Sequence, residues 1–177
     1  IANNLIEKYR QSPQAAGGGA NAAISAVEPP SDQLLSSLIE PVITEKRLQF
    51  RSKMGVDIDA RLGAPSYGLF ARIGTSEFKR VLSNLINNGV EALERTGAVT
   101  VHLASAGDRI LLEVSDDGKG IPPEVAARLG RKGETHGKPG GSGLGLYHAK
   151  TCGEAWGGSL AIRSEPGQGT TVALMLP

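Results

Sequence analysis

Asn84 and Asn88 stand four residues apart in "NLINNGVEAL". On a helix that spacing makes their amides neighbours. Two side-chain carbonyl oxygens side by side suit a hard cation such as Mg²⁺, which keeps waters and takes phosphate oxygens as its other ligands. A solvated helix face that carries Asn is the plainer alternative. A second group lies in "LLEVSDDGKGIP". Strand alternation puts Ile110, Leu112, Val114 and Asp116 on one face, and Leu111, Glu113, Ser115 and Asp117 on the other. Asp116 then points to the apolar side, where a lone carboxylate is costly without a hydrogen-bond donor. The exocyclic amino group of a base is such a donor, and Gly118 and Gly120 let the chain turn beside a flat ligand. An ordinary Asp-Gly turn at a strand end is the other reading.

A third group is "GKPGGSGLGL", a glycine-rich run that leads into a helix. It lacks the Lys-Ser/Thr ending of a P-loop and the strand that a dinucleotide fingerprint follows. It still offers unpaired N–H groups to an anion, with Arg131, Lys132 and Lys138 nearby. A flexible turn has the same composition. Finally, Thr170, Val172, Leu174 and Leu176 alternate onto one face of "GQGTTVALMLP". That places one small polar group on a buried surface.

These residues need elements to hold them. "TSEFKRVLSNLINNGVEALERTG" is the strongest helix, with Thr75 or Ser76 as its cap and Gly97 as its stop. Val81, Leu82, Leu85, Ile86, Val90 and Leu93 share its broad apolar face at about 3.6 residues per turn. Gly89 lies within that face and permits close packing. Glu77, Asn84, Asn88 and Glu91 form another stripe. "DQLLSSLIEPVITEKR" reads as a helix capped by Ser31 or Asp32 and interrupted at Pro41. "VDIDARL" reads as a strand, "AVTVHLAS" and "RILLEVSD" as a hairpin across "AGD", and "PPEVAARLG" as a short helix. A helix is expected from about Gly143 to Trp156, and "SLAIRS" with "TTVALML" as a closing hairpin. The order implies an α+β layer fold whose largely antiparallel sheet is covered on one face by helices.

The chain has 177 residues, 40% of them hydrophobic, and a net charge of +1. That suits one domain of ordinary size and gives no sign of a nucleic-acid surface. Three Phe, three Tyr and one Trp leave the core to aliphatic side chains. Cys152 is the only cysteine, which excludes an intramolecular disulfide and a cysteine cluster for zinc. No apolar run approaches a membrane span. Residues 1–30 read as the end of a helix ("IANNLIEKYR") followed by a Gly/Ala/Pro-rich linker, and 31–177 as the domain proper. A start at Ile1 fits a piece of a larger parent protein.

In order and spacing, "NLINNGVEAL", "DDGKGIP", "GGSGLGL" and "GQGTTVALMLP" resemble the N, G1, G2 and final glycine boxes of the histidine-kinase/gyrase/chaperone ATPase superfamily, also called GHKL. The chain looks most like the catalytic, ATP-binding domain of bacterial sensor histidine kinases. The resemblance implies a two-layer α/β sandwich of the Bergerat type: a mixed, mostly antiparallel sheet covered by three helices, with ATP between the layers. It implies that Asn88 binds Mg²⁺, with Asn84 one turn before it, and that Asp116 binds adenine. Gly118, Gly120 and Ile121 would then lie beside the base, and Gly141, Gly143, Leu144 and Gly145 at the phosphates. Thr170 matches the threonine of the last box, and residues 130–142, including Lys138, match the lid over the nucleotide. The lid is short and has no Phe, and Glu91 stands where many of these kinases place a basic residue.

Hydrolysing relatives resemble one another in a Glu one turn before the Mg²⁺ Asn, as general base for water. Here that position is Asn84, and an amide takes no proton at neutral pH. This favours transfer of the γ-phosphate to a nucleophile from outside. His102 is expected on the outer side of the sheet, His136 in the lid, and His148 in a packing or capping role. The resemblance therefore implies a histidine-bearing dimerisation domain in the same parent, a dimeric full-length protein and a response regulator receiver domain as partner. It also implies a cytoplasmic catalytic domain, compatible with a parent anchored in the inner membrane. An anti-sigma-type serine kinase and a nucleotide-binding regulatory domain without transfer are the alternatives.

Overall fold

The computed structural model describes residues 28–126, 128–129 and 144–177. The expected upstream helix, most of the linker and residues 130–143 lie outside the described residues. The elements run β1 (Ser31–Leu34), α1 (Leu35–Phe50), β2 (Val56–Leu62), a 3-10 turn (Ala64–Gly68), β3 (Phe70–Ile73), α2 (Thr75–Ala92), β4 (Gly97–Ala106) and β5 (Arg109–Asp116). They continue with α3 (Pro123–Ala126), α4 (Leu144–Ala155), β6 (Ser159–Glu165) and β7 (Gly169–Leu176).

Five strands form the main sheet in the order β2-β4-β5-β7-β6. β2 runs parallel to β4, and the other three pairings are antiparallel. Period-2 alternation decides which side is dry. Val99, Val101 and Leu103 of β4, Ile110, Leu112 and Val114 of β5, and Val172, Leu174 and Leu176 of β7 are buried. Their neighbours in sequence face outward, among them His102, which lies 3.5 Å from Glu113 across the strand pair. Helices α1, α2 and α4 cover the dry face. This is the two-layer sandwich expected.

The apolar stripe of α2 supplies the centre of the core: Val81, Leu82, Leu85, Ile86 and Val90 are at most 3% exposed. Burial of each large aliphatic side chain contributes about 1.5–3 kcal/mol. Phe78 and Trp156 pack with centroids 6.2 Å apart, which joins the start of α2 to the end of α4. Gly89 permits the close crossing: a Cβ there would stand 3.0 Å from Val99.

Several local expectations are corrected. Ser31 and Asp32 do not cap a helix. They begin β1, which pairs with β3 in a separate two-stranded sheet. Pro41 sits inside α1 without interrupting it. It lies on the exposed face, so water can reach the Ser37 carbonyl that loses its helical partner. Neither Thr75 nor Ser76 caps α2; Gly74 holds that position with no side-chain hydrogen bond. Gly97 is not the stop of α2, which ends at Ala92. Gly97 opens β4 instead, its N–H bonded to the Gly55 carbonyl at 2.9 Å.

Candidate functional site

The register of the sheet brings Asp116 level with Val99 on one side and Thr170 on the other. Asp116 closes the inward-facing row of β5, as alternation requires. Its Oδ1 accepts the Gly118 N–H at 3.0 Å. Burial pushes this carboxyl above the usual aspartate value, and the charge of Asp117 adds to the rise. The backbone N–H groups of Gly118 and Thr170 pull the other way. Asp117 faces away and ties the same loop to β4, accepting the Ala98 N–H at 2.7 Å.

After Asp117 the chain turns against two backbones at once. A Cβ on Gly118 would meet the Ala92 carbonyl at the end of α2. Gly120 has φ +65, and a Cβ there would run into the Glu165 carbonyl. Only glycine holds that conformation without strain. The Ile121 N–H then donates to Ser164 Oγ at 2.8 Å.

Ser164 shares this hydrogen-bonded cluster, and the motif reading did not single it out. Its hydroxyl donates to the Gly169 carbonyl at 2.9 Å, and Thr170 Oγ1 is also 2.9 Å away. A hydroxyl has one proton, so Thr170 is the donor in that second bond. The lone pairs of Thr170 Oγ1 remain as acceptors beside Asp116. The signal was available in "SLAIRS": Ser164 follows Leu160 and Ile162 on the alternating inward side of β6.

Helix α2 passes directly over this strand end, since a Cβ on Gly89 would lie 3.4 Å from Asp116 Cβ. Asn88 is exposed and Asn84 half-buried on the adjoining stripe. Gly145 in the first turn of α4 abuts both: a Cβ there would stand 3.7 Å from Asn88 Nδ2 and 3.8 Å from Asn84 Cβ. Leu144, 48% exposed, begins α4. Asn84, Asn88, Asp116, Gly118, Gly120, Ile121, Leu144, Gly145 and Thr170 thus gather at one end of the sandwich. Lys138, Gly141, Gly143 and His136 lie outside the described residues.

His148 packs between α4 and α2, with Nε2 2.6 Å from Glu77 Oε2. The Cys152 thiol is pushed up to about 11, chiefly by burial. Burial thus favours the thiol over the thiolate in the metal-free protein, which disfavours a role as free nucleophile.

The chain belongs to the family described as histidine kinase-, DNA gyrase B- and HSP90-like ATPases, which it matches over residues 74–177. It is 36% identical over 102 residues to the alginate biosynthesis sensor protein KinB of Pseudomonas aeruginosa, covering 57% of this chain and 17% of that protein. It is 33% identical over 102 residues to sporulation kinase C of Bacillus subtilis, covering 58% and 24%. The chain therefore spans a quarter or less of the length of these relatives. Among solved structures, the catalytic domain of histidine kinase ThkA superposes with a TM-score of 0.73 at 23% identity, over 84% of this chain and 95% of that one. Full-length ShkA in complex with AMPPNP gives 0.70 at 27% identity, over 88% and 32%.

Proposed function

We propose that residues 31–177 are the ATP-binding catalytic domain of a sensor histidine kinase, which passes the γ-phosphate of MgATP to a histidine outside this chain. Four segments distant in sequence support this reading by converging on one end of the sheet: Asn84 with Asn88, Asp116 to Gly120, Gly145, and Thr170. Asp116 accepts the adenine amino group, and Thr170 Oγ1 offers a second acceptor beside it. Gly118 and Gly120 give the base a flat wall because no side chain rises from it.

The amide pair Asn84/Asn88 suits Mg²⁺, since both are neutral oxygen donors one helical turn apart and the Asn88 side chain is open to solvent. A magnesium ion held there neutralises phosphate charge. Gly145 keeps the first turn of α4 free of side chain next to these amides, so that its N–H groups serve the polyphosphate. Leu144, Gly141, Gly143 and Lys138 complete the phosphate side in this reading.

Asn84 decides between water and protein as the acceptor. Its amide cannot take a proton, so water is not activated from this position. An incoming imidazole nitrogen needs no such base: it attacks the γ-phosphorus, and ADP leaves. Among the described residues, His102 sits on the outer face of the sheet and His148 is engaged with Glu77. The acceptor we propose is a histidine on a dimerisation domain of the parent, which makes the full-length protein a dimer. ThkA has been solved in complex with the response regulator protein TrrA, and a receiver domain is the final acceptor in our reading. No helix among the described residues is long and apolar enough to cross a membrane. We place this domain in the cytoplasm, whether or not its parent is anchored.

The test is Asn88→Ala, with a fluorescent adenine nucleotide titrated with and without Mg²⁺. We expect the Mg²⁺-dependent part of binding to vanish. An unchanged titration contradicts the role given to Asn88.

A further inference from the structure

Two helical turns before Asn84, about 10 Å along the axis of α2, Glu77 faces α4. His148 and Cys152 are four residues apart on α4 and share one side of it. Cys152 Sγ is 3.5 Å from His148 Nε2 and 4.0 Å from Glu77 Oε2. Glu77 Oε2 is itself 2.6 Å from the same Nε2. An acid–histidine–thiol relay would use the two ring nitrogens separately. Here both neighbours converge on Nε2, which carries at most one proton, and His148 Nδ1 is buried without a partner. Three electron-pair donors of three kinds, all within 4.8 Å of one another, surround one point.

We propose that Glu77, His148 and Cys152 form a binding site for a borderline-soft divalent metal ion, with zinc as the type case, separate from the nucleotide site. Around a tetrahedral zinc, with bonds of about 2.3 Å to sulfur and about 2.0–2.1 Å to nitrogen and oxygen, ligand atoms stand about 3.3–3.6 Å apart. The sulfur–nitrogen distance of 3.5 Å already fits. The nitrogen–oxygen pair must open by roughly 0.7 Å and the sulfur–oxygen pair close by roughly 0.5 Å. A small rotation of Glu77, whose side chain is 36% exposed, supplies both movements. Metal binding releases the Cys152 thiol proton to solvent, and the resulting thiolate and the Glu77 carboxylate together balance a 2+ charge. The thiolate discriminates against Mg²⁺, which wants oxygen ligands. The partial exposure of Glu77 and His148 leaves an entry path and a fourth position for water. One protein group is missing from the usual plan: with Nε2 on the metal the proton sits on Nδ1, which is buried and meets no acceptor among the described residues. Because the ligands come from both α2 and α4, a bound ion ties the helix of Asn84 and Asn88 to the helix of Gly145.

The experiment uses tag-free full chain, free of nucleotide, titrated with Co²⁺ as the spectroscopic probe. We expect one Co²⁺ per chain, thiolate-to-metal charge-transfer absorption in the near ultraviolet, a tetrahedral ligand-field band, and displacement by Zn²⁺. Cys152→Ser should remove the charge-transfer band and leave nucleotide affinity unchanged. Glu77→Gln should weaken Co²⁺ at least about tenfold. Absence of the band, or its persistence in Cys152→Ser, overturns the proposal. X-ray absorption of the zinc-loaded wild type decides the matter if a variant does not fold. One sulfur in the first coordination shell supports the site, and none overturns it.

Discussion

Asp116→Asn separates recognition of the base from stability of the fold. The carboxylate accepts the Gly118 N–H at 3.0 Å, and the asparagine carbonyl can keep that bond. What the amide cannot do is accept from the adenine amino group with its NH₂ end: two donors would face each other. A hydrogen bond to a charged group is worth about 1.5–3 kcal/mol. At about 1.4 kcal/mol per factor of ten, affinity for ATP and ADP should fall about 10- to 150-fold. Inorganic triphosphate carries no base and should bind both proteins alike. The fold should hardly notice. Removing a charge that burial disfavours offsets the weaker backbone hydrogen bonds, so free-protein stability should change by less than about 1 kcal/mol. Calorimetric titration with ADP and with triphosphate gives the first comparison, and chemical denaturation the second. Equal losses for both ligands, or no loss for ADP, would refute the role of Asp116 as the reader of the base.

Three further predictions concern the same cavity. Gly120→Ala puts a side chain at φ +65 and against the Glu165 carbonyl; the strained backbone alone costs about 1–3 kcal/mol, so denaturation should show at least that loss. Gly145→Ala should be tolerated, since its Cβ would make ordinary contacts at 3.7 Å and 3.8 Å. Gly145→Val places methyl groups against Asn84 and Asn88 and should lower Mg²⁺-nucleotide affinity at least about tenfold, a 1.4 kcal/mol effect, with little change in melting temperature. The third concerns pH. Burial raises the Asp116 pKa above its ordinary 3.8, so adenine affinity should fall as pH drops through that raised value, and Asp116→Asn should abolish the inflection. The fold binds this proton more tightly than the unfolded chain. The Asp116 contribution to stability therefore improves as pH falls through the same window, and circular dichroism should show intact protein while binding is lost.

What could be read in the sequence was what local periodicity controls. The stripe of α2, the alternation along β5 and β7 and the "AGD" hairpin each depend on residues within a few positions. They place Asn84, Asn88, Asp116 and Thr170 on their correct faces. Pairing across distance was not legible. β1 and β3 are four residues each, too short to show a period, and they exist because they pair with each other. The parallel contact of β2 with β4 likewise depends on the whole of α2 packing between them in sequence. Gly97 was misread because a glycine after a helix and a glycine at a strangely turned strand start look the same in one dimension; its bond to Gly55 distinguishes them. The convergence of Glu77 with His148 and Cys152 arises only when α4 docks on α2, seventy residues later in the chain.

The most direct test of the central claim is phosphotransfer itself. The chain is mixed with γ-labelled MgATP and a separately folded helical domain that bears the acceptor histidine of the parent. The account predicts label on that domain that is lost in acid, retained in base, and absent when the histidine is replaced or when Asn88→Ala is used. Nucleotide that binds with no label reaching the histidine, or label that appears instead as acid-stable phosphoserine on a partner, would contradict it.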